Sequence, residues 1–87
     1  MATRGAGKSS DAVNFMADAE QFLQLGLMCS TGETAPADLV AAHKWFNIAG
    51  MRGNSEAVRH RCAIASEMSS AEIAAAQRAA RAWLTRH

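Results

Sequence analysis

Apolar side chains in this chain return every third or fourth residue, and nowhere do they alternate. That spacing gathers them on one side of a helix, whereas a half-buried strand needs a period of two. Val13, Met16, Ala19, Phe22, Leu23 and Leu27 predict a first helix over 11–29, with Ser10 as its cap and Asp11 in its first turn. Leu39, Ala42, Trp45, Phe46 and Ala49 are the predicted buried stripe of a second helix. It opens after the break "STGETAPAD", residues 30–38, with Asp38 at its positive end. It closes at "GMRGN", residues 50–54, where glycine tolerates a left-handed turn. Asn54 can cap a third helix carrying Ala57, Val58, Arg61, Cys62, Ile64 and Ala65 as far as Met68. "SSAE", residues 69–72, spells a capping box, in which Ser69 and Glu72 satisfy each other's free amides. It introduces a fourth helix lined by Ile73, Ala76, Ala80, Trp83 and Leu84, with Arg78 and Arg81 standing off the stripe. The expected fold class is therefore all-α, four antiparallel helices joined by short turns.

Size and composition narrow the reading further. At 87 residues the chain is one domain, and 49% hydrophobic against 20% charged residues is too apolar for a disordered protein. With three Phe and two Trp among many alanines, a few large side chains must anchor closely approaching helices. The net charge is +1, but residues 1–40 hold two basic and five acidic side chains, and residues 41–87 seven and three. That mild basic half suits an acidic protein partner and falls short of the balance of a dedicated nucleic-acid binder. No apolar run approaches the ~20 residues that span a bilayer, and the first dozen residues lack a signal-peptide core, so a cytoplasmic protein is expected. Cys29 and Cys62 form no disulfide framework and are read as reduced and packed.

Candidate chemistry is sparse. Ala2 through Ser9, ending Gly7-Lys8-Ser9, fits a relaxed phosphate-loop spelling, in which amides cradle phosphates and the Ser holds magnesium. A working loop sits between a buried strand and the helix it opens, and only Met1 precedes this one, so a flexible tail over 1–9 is the preferred reading. His60 and Cys62, two apart on a helix, point about 200° away from each other and cannot share one metal. No Ser or Cys sits in a nucleophile turn, and Glu56, Glu67 and Glu72 read as helix-end or surface charges, so no catalytic, metal or cofactor site is expected. Met16 and Met68 read as core filler, whereas Met28 and Met51 flank turns where a flexible thioether suits a partner surface.

One span carries a resemblance. "AEQFLQLGLMCSTGETAPADLVAAHKWFNIAGMRGN", residues 19–54, resembles the Sel-one-like repeat, a helix-turn-helix unit related to the tetratricopeptide solenoids. The family's small residue, Leu-Gly, Gly, Pro-x-Asp, Ala, Trp-Phe, Ala and Gly-Asn fall on Ala19, Leu25-Gly26, Gly32, Pro36 and Asp38, Ala42, Trp45-Phe46, Ala49 and Gly53-Asn54. Cys29 takes the usual Tyr place, Thr34-Ala35 the Gly-Val of the turn and Gly50 a second Ala, so the copy is divergent. Gly26 and Ala42 are small where two helices must approach, and Trp45 is expected to fill the hollow between them.

The resemblance implies a non-enzymatic adaptor that binds other proteins. Its expected organisation is a tail over 1–9, a hairpin repeat over 10–54 and a capping helix pair over 55–87. Solenoid repeats need about three copies to cover their faces, so one repeat and a cap should self-associate, most simply as a two-fold homodimer. Gln21, Gln24, Met28, His43 and Asn47 lie off the apolar stripes or at their edges and are the expected groove. Arg52, Arg59, Arg61, Arg78 and Arg81 are the expected strip for an acidic partner. The alternative is nucleic-acid or nucleotide binding through the basic half and Gly7-Lys8-Ser9.

Overall fold

A computed structural model describes residues 18–32 and 36–86, and among them are four helices and no strand. The helix α1 covers 18–31, α2 is Leu39–Met51, α3 is Ser55–Ala65 and α4 is Ser70–Arg86. The predicted start of the first helix at Ser10 and Asp11, Val13, Met16, the Gly7-Lys8-Ser9 stretch and the Thr34-Ala35 pair lie outside the described residues. No helix among the described residues is long and apolar enough to cross a membrane.

The helix ends follow the local chemistry of the sequence. Asp38 accepts a hydrogen bond from the Ala41 amide at 3.0 Å, and Asn54 accepts one from the Ala57 amide at 2.8 Å, so each side chain satisfies a first-turn donor. At α4 the box closes reciprocally: the Ser69 amide donates to Glu72 Oε1 at 2.8 Å, and the Glu72 amide donates to Ser69 Oγ at 3.1 Å. Gly53, at φ +100°, ends α2 in the left-handed region. There the Gly53 amide donates to the Gly50 carbonyl and the Asn54 amide to that of Ala49, each at 3.0 Å, the paired bonds of a Schellman ending. The helix α3 stops at Ala65 rather than Met68, because the Glu67 and Met68 amides turn back to the Ile64 and Ala65 carbonyls in a tighter turn.

Packing is organised around α2. Along α1 the partners on α2 run backwards: Asp18 meets Arg52, Phe22 meets Trp45, and the Cys29 carbonyl accepts from the Asp38 amide at 2.8 Å. The two helices are therefore antiparallel. Val58 lies beside Gly50 and Arg61 bonds to Asn47, so α3 also runs antiparallel to α2. Both α3 and α4 pack along α2 rather than along each other. The core is Leu23, Ala42, Phe46, Ala49 and Ala57, flanked by Phe22, Leu27, Cys29 and Ile64.

The closest approach of α1 and α2 corrects one expectation. A Cβ on Gly26 would overlap Cε1 and Cδ1 of Phe46, so Phe46, fully buried, fills the space that glycine opens. Trp45 instead lies parallel to Phe22 at 5.7 Å between centroids, and Trp83 of α4 meets both rings edge-on at 5.0 and 5.8 Å. Adjacent residues on a helix point about 100° apart, so only one of Trp45 and Phe46 can face Gly26.

Candidate functional site

The residues singled out in the sequence fall on the outward face of α1, in the seam between α2 and α3, in the aromatic cluster, and on the exposed sides of α3 and α4. On α1, Gln21, Gln24, Leu25 and Met28 are exposed and spaced i, i+3, i+4, i+7, so they share one outward face. Leu25 is 37% and Met28 47% exposed, an apolar pair flanked by two amides. Gln24 Nε2 also donates to Glu20 Oε2 at 3.1 Å, which fixes it along the helix. Leu25 lies off the predicted stripe of the first helix and is absent from the expected groove. Its exposure follows from the buried positions 19, 23 and 26, which turn residue 25 to the far side. Met51, 64% exposed at the end of α2, lies apart from this pair, since the antiparallel register sets it beside the start of α1.

His43 and Asn47 do not join that face. His43 is only 3% exposed, and Asn47 Oδ1 accepts from Arg61 Nη1 at 3.0 Å in the seam between α2 and α3. The physical reason is that α2 has neighbours on three sides, so positions off its main stripe are covered as well. His43 Nδ1 has no hydrogen-bond partner. Burial first, and the Arg61 guanidinium second, push its imidazole below the ordinary histidine range, against a weaker opposing contact with its own backbone.

The arginines divide. Arg52 turns inward: it pairs with Asp18 at 3.5 Å, and its guanidinium lies 5.3 Å from the Phe22 ring centre and 6.0 Å from that of Trp83. It therefore braces the aromatic cluster instead of joining a docking strip. Lys44 does the same for Trp45 at 4.0 Å. Arg59, Arg78 and Arg81 are exposed, and only the latter two share a helix, one turn apart on α4.

The thiols also part company. Cys29 packs against the core, where burial and then the Asp38 carboxylate push its thiol up, with Lys44 opposing them. Cys62, expected to be packed, is exposed, because α3 presents Ala57 to the core and turns residue 62 away. Nearby His60 stacks on Phe46 at 5.3 Å and lies 3.5 Å from Glu56. No group of three His, Cys, Asp or Glu side chains that could hold a metal occurs among the described residues.

The fold and these surfaces define an all-α chain whose central helix is clasped by three others, with an amide-flanked apolar pair on α1. No family model, curated protein or solved structure matches the chain.

Proposed function

We propose that this chain is a small, non-enzymatic protein–protein interaction module of the Sel-one-like repeat type, acting in the cytoplasm and self-associating through the outer face of α1. The observation that carries the reading is the exposed row Gln21, Gln24, Leu25 and Met28, where two large apolar side chains share one helix face. Such a face gains by exclusion of water at about 25 cal/mol per Å² of apolar surface, and its amides can bond across an interface. The motif positions carry structural work that supports the repeat reading: Gly26 admits Phe46, Asp38 and Asn54 cap helices, and Gly53 takes the left-handed turn. The occupant most consistent with one repeat and a cap is a second copy, because isolated repeats leave faces uncovered. Arg78 and Arg81 on α4 are the proposed contact for an acidic partner bound by the assembled pair.

Light scattering after size exclusion, over a range of protein concentration, tests this. The expected result is a dimer for the native chain and a folded monomer for the Leu25→Lys, Met28→Lys double variant. A native chain that stays a folded monomer at high concentration would sink the self-association.

A further inference from the structure

We propose that His43 and Arg61 form an acid-sensitive latch on the seam between α2 and α3: the seam closes around a neutral imidazole, and protonating that imidazole loosens α3. The inference is independent of the self-association reading, since it concerns contacts inside one chain.

The geometry begins with register. Gly50 faces Val58 and Asn47 faces Arg61, so the α3-facing stripe of α2 steps back from 50 to 47 to 43. His43 therefore lies one turn beyond Asn47 on that stripe, toward the end of α3 where Ile64 joins the core. Its exposure is 3%, and its Nδ1 has no hydrogen-bond partner within the protein. A buried atom of that kind costs stability even when the ring is neutral. A proton added to the ring would create a buried cation that gains only a weak contact with its own backbone, not a hydrogen bond at Nδ1.

The charges around it make this worse. From α3 the charge that reaches His43 is Arg61, held in place by its bond to Asn47; His60 stacks on Phe46 and lies beside Glu56, and Arg59 is exposed. On α2, Lys44 is over the Trp45 ring, and Asp38 is an exposed cap at the helix start. From α1 the titratable group at the core is the Cys29 thiol, and on α4 Glu72, Arg78, Arg81 and Arg86 are exposed. No carboxylate among these is placed to neutralise an imidazolium, whereas a guanidinium is placed to repel it.

Linkage fixes the direction. In the unfolded chain His43 takes up its proton at about pH 6.5, and in the fold only at lower pH, so between the two values the unfolded chain binds more protons. The stability contributed by a neutral His43 is complete above about pH 6.5 and is lost as the pH falls through the folded-state value. The loss should appear first in α3. That helix buries only Ala57 of its own residues, and its Arg61–Asn47 bond sits beside the new charge.

The test is urea unfolding of the full chain at pH 7.5, 6.5 and 5.5, native against His43→Leu, with the His43 ring followed by NMR. The other titrating groups are common to both chains, so the difference isolates His43. From pH 7.5 to 5.5 the native folded-to-unfolded ratio should fall by up to about tenfold more than that of the variant. Parallel pH dependence in the two chains would overturn the proposal. Should His43→Leu not fold, the native ring signal must titrate below the ordinary histidine range, and Arg61→Gln must move it upward; a midpoint at or above that range also overturns it. Hydrogen exchange locates the effect: amides of α3 should lose protection at pH 5.5 before those of α2, and simultaneous loss would rule out a latch local to the seam.

Discussion

The helices α2 and α3 are close in length, 13 and 11 residues, but α2 buries Ala42, His43, Phe46, Ile48 and Ala49 whereas α3 buries only Ala57. The difference is one of neighbours. One side of α2 receives Gly26, a second receives Val58 and Arg61, and a third, through Trp45, receives Trp83, while α3 has α2 as its main support. Apolar burial therefore holds α2, and α3 depends on a cap, a side-chain bond and the stacking of His60 on Phe46. Two kinds of helix stability coexist in one small domain: one insensitive to single polar changes, the other dependent on them.

Substitutions can break this contrast, and the largest effect belongs to α2. Phe46→Ala empties the fully buried centre and should cost about 3–5 kcal/mol in urea unfolding, enough to unfold a domain of this size. Gly26→Ala should cost about 1–3 kcal/mol by forcing a methyl into the Phe46 ring. Combined with Phe46→Leu it should cost clearly less than the sum of the two single changes; additivity would mean that the two residues do not share one space. On the α3 side, Asn54→Ala should cost about 1 kcal/mol and raise hydrogen exchange in the first turn of α3 while leaving the middle of α2 protected. The smallest effect is Cys62→Ser, within about 0.5 kcal/mol, since that side chain is exposed. A thiol reagent applied to the folded native chain should modify Cys62 first, because Cys29 is packed and held protonated by its burial.

How much of this was legible in the sequence varies residue by residue. Asp38, Asn54 and the Ser69–Glu72 box were readable because a cap needs a residue type at a fixed offset from its partner, three positions in each hydrogen bond here. The buried positions Ala42, Phe46, Ala49, Ala57, Ala76 and Ala80 followed from the period of the helix. His43 and Ile48 did not, because a single stripe assumes a single covered side. Gln21, Gln24 and Met28 were found together with exposed Leu25 on α1, whereas Asn47 and Arg52 were drawn inward by partners far along the chain, Arg61 and Asp18. A polar side chain looks the same in sequence whether it meets water or a guanidinium.

Local composition by itself therefore determined that the described chain would be helical, where α2, α3 and α4 would begin, and that a glycine would turn the end of α2. Those outcomes depend on contacts within one turn of the backbone. Only the tertiary structure decided that α2 would be the central helix, that Phe46 rather than Trp45 would meet Gly26, and that His43 would be enclosed beside Arg61. The number of sides a helix covers is set by segments distant in sequence, and helical periodicity carries no information about how many of them will arrive.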